Sequence, residues 1–142
     1  MSVKCHEIIS AMEILAPKNL AESWDNVGLM LGSQNDNINK ILFALDCSEA
    51  VIDEAIEIGA NMIITHHPFI FKALKTLDFD TPIGKKIKKA IKNNKKQLTI
   101  LQHFAILKLP KRVEQREHFL FMQRRMKLHR DYVAGIENVF LL

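Results

Sequence analysis

The chain has 142 residues, enough for one domain of ordinary size. It is 48% hydrophobic and 25% charged, with 5 Gly and 4 Pro, which excludes a wholly disordered chain and a collagen-like fibre. The net charge of +4 is unevenly spread: residues 1–82 carry −7, residues 83–96 carry +7, and residues 97–142 carry +4. No run of 18 apolar residues exists, so no membrane-spanning helix is expected. The opening Met1-Ser2-Val3-Lys4-Cys5-His6-Glu7 lacks the apolar stretch of a secretory signal, so the expected location is the cytoplasm. In that reducing setting Cys5 and Cys47 are expected to be free thiols.

Val3 to Leu15 reads as a first helix. Val3, Ile8, Ala11, Met12 and Leu15 fall mainly at spacings of three and four, with Ser2 as its cap and Pro17 as its end. Glu22 to Gly32 reads as a loop turning into a short strand, and Ser33 to Asn39 as a polar loop. Lys40 to Leu45 is a compact apolar run, ending in Asp46, that fits a strand buried on both faces. Ser48 then caps a helix with Val51, Ile52, Ala55 and Ile56 on one stripe, and Gly59 closes it. Asn61 to Thr65 is a second buried strand that delivers His66-His67-Pro68. Strand, helix and strand in this order form a βαβ unit with parallel pairing. A third helix opens at Pro82 and runs to about Asn93, and a third strand is expected at 97–101. The predicted fold class is therefore α/β, a βαβ-containing sheet flanked by helices. Beyond His103 the pattern degrades. Lys111 to Arg130 is expected to be partly helical at best, within a basic tail that packs poorly on the core.

Ligands in open α/β sheets bind beyond the carboxyl ends of the strands, where Asp46 and His66-His67 both lie. Neutral imidazole is the commonest metal ligand, and a tandem pair can serve one or two ions. The plainer reading is two strand-end histidines making ordinary hydrogen bonds. Asp46 can orient a ligand histidine or contact a substrate, or it can merely cap the helix that follows. Trp24-Asp25-Asn26, taken alone, is a packing residue followed by a turn. Lys85, Lys86, Lys88, Lys89, Lys92, Lys95 and Lys96 have no interleaved aromatic, so they read as a solvated helix face in preference to a nucleic-acid patch. Cys47 has no local histidine to activate it as a nucleophile.

Together, Trp24-Asp25-Asn26-Val27-Gly28-Leu29, Leu45-Asp46 and Gly59 to Phe71, with Thr65-His66-His67-Pro68 inside it, resemble the NGG-one-interacting-factor-three-like family. Its members are often labelled GTP cyclohydrolase 1 type 2 homologues. The resemblance covers roughly residues 3–100. It implies a toroidal homohexamer and a centre of two divalent ions (Zn, Fe, Mn or Mg), with His66 and His67 as metal ligands. Asp46, Asp25 and His103 are then candidates for contacts behind the ligands or with substrate. His103 stands where the family's H-T-x-x-D motif has its histidine, but Leu107 occupies the place of the bridging Asp. The later H-x-x-x-E pair has no counterpart: His118 is followed by Met122 and His129 by Val133. The chain thus divides into a family-like half-domain, 1–100, and a divergent tail, 101–142, of the kind a shifted reading frame would produce. Relative to the family the chain is truncated.

Two functions compete on this basis. One is metal-assisted hydrolysis of a nucleotide-like small molecule. The other is a metal-binding or interaction protein without turnover, or an inactive relic. Neither reading calls for nucleic acid or a membrane.

Overall fold

The computed structural model describes residues 2–92, 99–102 and 138–141. The chain opens with β1 (Val3–Lys4), which pairs antiparallel with β3 (Asn37–Ile38) in a small sheet of their own. The first helix, α1 (Cys5–Leu15), therefore begins two residues later than its periodicity predicts. Lys4, not Ser2, stands at its N-cap, and the Lys4 N–H donates to Glu7 Oε2 at 2.8 Å. Val3 and Ile38 are both buried, and this apolar contact holds the two short strands together. The polar run 33–39 hides that pairing because only Ile38 of the pair's second strand is apolar.

The main sheet has five strands among the described residues, in the order β2-β6-β5-β4-β7. These are β2 (Gly28–Leu31), β4 (Lys40–Ala44), β5 (Met62–Thr65), β6 (Thr99–Gln102) and β7 (Asn138–Leu141). Only β2 runs antiparallel to its neighbour; β6, β5, β4 and β7 are mutually parallel. Between β4 and β5 lies α2 (Glu49–Glu57), and between β5 and β6 lies α3 (Pro82–Ile91). The three strands expected near 40–45, 61–65 and 97–101 are thus β4, β5 and β6, and the expected parallel register aligns Ile41 with Met62 and Ala44 with Thr65.

Alternation along the strands sorts the core into two layers. Ile41, Phe43, Met62 and Ile64 pack with Ile8 and Met12 of α1. Leu42 and Ile63 face the other way, onto Ile52 and Ala55 of α2 and Ile87 and Ala90 of α3. A strand apolar on both faces is what a sheet covered on both sides requires. Among the described residues the buried polar exceptions are Thr65, at the end of β5, and Asn61, just before it. Asn61 is 5% exposed, its Oδ1 accepts from the N–H groups of Asn39 and Lys40, and its Nδ2 donates to Asn37 O at 2.6 Å.

Part of the tail joins the main sheet through its backbone. Asn138 to Leu141 form β7 and lie parallel beside β4, with Lys40 opposite Asn138 and Phe43 opposite Leu141. Val139, Phe140 and Leu141 suit a strand, yet four residues alone are too few for a periodicity argument. Lys111–Arg130, Leu107 and His103 lie outside the described residues, so the helix expected there does too.

Candidate metal site at the strand ends

The parallel pairing of β4 and β5 continues past both strands and sets the site. The His66 N–H donates to Ala44 O at 3.3 Å, and the His67 N–H to Leu45 O at 3.0 Å. The Thr65 hydroxyl donates to His67 O at 2.8 Å. The backbone of the tandem histidines is thus held beside Asp46 before any side-chain contact is made. The chain bends at His66 and His67 as it leaves β5, and Pro68 bars it from continuing as a helix.

His67 Nδ1 lies 2.8 Å from Asp46 Oδ1. An ionised carboxylate only accepts, so the contact requires the proton on Nδ1, and in a neutral ring that leaves the Nε2 lone pair for a ligand. This is the arrangement by which carboxylates orient metal-ligating imidazoles. The His66 ring sits beside it, centroids 5.0 Å apart and tilted by 54°. The His67 and Asp46 side chains are 39% and 63% exposed, so the pair stands open to solvent. Asp46 is available because Ser48 does the capping: the Val51 N–H donates to Ser48 Oγ at 3.2 Å. The capping reading of Asp46 thus gives way to a contact with His67.

These residues fit a metal in part. Two imidazole nitrogens can seat one divalent ion with most of its coordination open. Among the described residues no group of three or more His, Cys, Asp or Glu could hold an ion. Two neutral donors bring no charge to offset a second dication, so these side chains alone do not fit a two-ion centre.

The Trp24-Asp25-Asn26 loop joins this region, a link the sequence does not reveal. Asn26 Nδ2 donates to Ile70 O at 2.6 Å, across 44 positions of chain. Trp24 meets Phe71 with ring centroids 6.4 Å apart. Trp24 is 64% exposed, so it is no core packing residue. Asp25 Oδ1 accepts from the Asn26 N–H at 2.8 Å, while its Oδ2 is buried without a hydrogen-bond partner among the described residues. Nothing local to Asp25-Asn26 distinguishes such an anchor from an ordinary turn.

Cys47 is 4% exposed. Burial pushes its thiol up to about 12, against a smaller downward pull from Lys86, which leaves it inert as a nucleophile. On the α3 face, Lys89 Nζ lies 2.7 Å from Asp53 and 3.8 Å from Glu49. Lys86 Nζ donates to Cys47 O at 3.2 Å. Two of the run's lysines thus serve helix docking, while Lys85, Lys88 and Lys92 are exposed, as a solvated face requires.

The model of the Duf34/NIF3 (NGG1p interacting factor 3) family matches residues 3–100. The chain belongs to this family. The GTP cyclohydrolase 1 type 2 homolog of Clostridium perfringens is 52% identical over 92 residues, which are 65% of this chain and 35% of the relative. That of Clostridium acetobutylicum is 50% identical over 94 residues, 66% of this chain and again 35% of the relative. Among solved structures, the Bacillus cereus protein related to NIF3 superposes with a TM-score of 0.67 at 45% identity. That overlap covers 72% of this chain and 28% of the other. Reduced HcgD from Methanocaldococcus jannaschii gives a TM-score of 0.65 at 32% identity, over 73% of this chain and 40% of the other. The chain therefore spans about a third of the length of these family members. The family match ends at residue 100.

Proposed function

We propose that this chain is a metal-binding member of the Duf34/NIF3 family, with His66 and His67 as ligands and Asp46 fixing the ring of His67. The 2.8 Å contact between His67 Nδ1 and Asp46 Oδ1 carries the reading, because it engages Nδ1 and leaves Nε2 on the ring's other side as the nitrogen for a metal. A divalent ion there would supply Lewis acidity and make a bound water more acidic. The protein's own part is to hold two imidazoles in register and to keep the Nδ1 proton on the Asp46 side. In a completed centre of two ions this suits hydrolysis of a nucleotide-like small molecule, in keeping with the relatives' name, GTP cyclohydrolase 1 type 2 homolog. The same reading gives a homohexamer at work in the cytoplasm.

A second reading has its own observation. With two imidazoles and no third donor grouped with them among the described residues, the chain by itself suits metal binding without turnover. That favours a non-catalytic metal-binding or interaction protein, or a relic, for these 142 residues.

Metal analysis of the purified chain tests the assignment. The expected result is at most one divalent ion per chain, lost in the His66→Ala/His67→Ala variant while circular dichroism stays unchanged. Asp46→Asn should weaken binding by about 10- to 100-fold, the usual cost of losing a carboxylate behind a ligand. Unchanged metal content in the double variant would place the site elsewhere. Two tightly held ions in the unaltered chain would show that other residues complete it.

A further inference from the structure

Two aromatic side chains stand in water near the histidines. Trp24 is 64% exposed and Phe71 is 54% exposed. Single exposed apolar residues are ordinary, but these two touch each other and are held in place. Asn26, two residues after Trp24, donates to the carbonyl of Ile70, the residue before Phe71. One 2.6 Å hydrogen bond thus positions both rings. Their planes are inclined by 57°, so neither ring covers the face of the other.

Phe71 follows His67 by four residues, which keeps their Cα atoms within about 14 Å. Lys72 and Lys75 follow Phe71 by one and four positions. Both are exposed, and neither has a hydrogen bond or ion pair among the described residues. Exposed ring faces select planar π-systems, and unpaired ammonium groups select phosphate.

We propose that Trp24 and Phe71 form a stacking platform for the base of a purine nucleotide, with Lys72 and Lys75 meeting its phosphate. The proposal deepens the metal-site reading and rests on it only for treating this rim as a place of reaction. A mononucleotide fits better than a nucleic-acid strand, because two rings and two ammonium groups match one base and one phosphate. A strand would require a longer succession of aromatic side chains along a basic groove.

Trp24 is the single tryptophan of the chain, so its fluorescence reports on this spot alone. The full chain is titrated with guanosine 5′-monophosphate, guanosine and ribose 5-phosphate. The nucleotide should quench Trp24 saturably, guanosine more weakly, and ribose 5-phosphate not at all. Phe71→Ala should weaken nucleotide binding, read by calorimetry, roughly 5- to 150-fold, the range measured for loss of one base–aromatic stack. Lys72→Ala/Lys75→Ala should reduce nucleotide affinity to that of guanosine. The quench should persist in His66→Ala/His67→Ala, so a failed metal site and a failed platform give different results. Equal quenching by ribose 5-phosphate, or unchanged affinity in Phe71→Ala, would overturn the proposal. Trp24 emission that shifts with protein concentration alone would assign the pair to a contact between copies. An oligoribonucleotide that binds far more tightly than the mononucleotide would assign it to nucleic acid.

Discussion

The interior of β4 and β5 and the rim where both strands end differ within three residues of chain. Phe43 and Ala44 are each 1% exposed, whereas Leu45 is 37% exposed and Asp46 is open to solvent. Along β5, Ile63 and Ile64 are sealed, and the chain from 71 to 80 is exposed throughout. The same hydrogen-bond ladder serves both regions, since the His66 and His67 N–H groups continue the pairing of the strands. The interior is fixed by its side chains. The rim is held by that backbone ladder and by the Asn26 side chain, while His67, Asp46 and Trp24 stay partly or largely open to solvent. Rigidity and chemical availability can coexist one residue apart because the groups that hold the rim are not the side chains it exposes.

The sharpest way to break this comparison is to truncate one aromatic residue in each region. Phe43 is among the largest fully buried side chains, so Phe43→Ala should cost about 3–5 kcal/mol through lost burial and an unfilled cavity. Trp24→Ala removes a larger ring that folding has left mostly wet, so its cost should stay within about 0.5 kcal/mol. Urea unfolding of both variants measures the contrast. Equal losses would mean that the rim is packed as the interior is.

A smaller effect sharpens the comparison where α3 leaves the rim loop. Gly84 lies in the first turn of α3, and a Cβ there would overlap the Asp78 carbonyl. Helix propensity alone favours Gly84→Ala by about 1 kcal/mol. The overlap is with backbone and cannot be relieved by a rotamer, so the clash wins. A net loss of about 1–3 kcal/mol is expected, typical of overpacking, and a gain in melting temperature would refute it. The rim's exposed loop would then be constrained at its far end by one tight contact.

Much of the interior is legible from residue types alone. Ile41-Leu42-Phe43 and Met62-Ile63-Ile64 are apolar at every position, and Ser48 before Val51 marks a helix start. Those signals are local, and the contacts they specify follow from sheet and helix geometry. The rim is less legible because its links are long-range. Asn26 finds Ile70, and β7 finds β4, through chain distances that no window of periodicity spans. Asp46 is intermediate: its position at a strand end is readable, but the choice between helix cap and histidine partner depends on where Ser48 points.

The smallest expected effect concerns the two buried thiols of the interior. Burial raises Cys5 to about 11, helped by the negative charge of Asp36, and raises Cys47 to about 12. Unfolded thiols ionise near 9, so between that pH and the folded values the native state holds more protons than the unfolded chain. Stability must then fall as pH rises through this window and is fully present below it. At pH 9, where half of the unfolded thiols have ionised, the loss is roughly 0.4 kcal/mol per thiol. Unfolding measured at pH 7 and pH 9 should show this decline, and Cys5→Ala/Cys47→Ala should flatten it whatever its own offset in stability. An equally steep decline in the double variant would assign the alkaline loss to groups outside the core. Metal bound at the rim should leave the slope unchanged, since neither thiol is among its ligands.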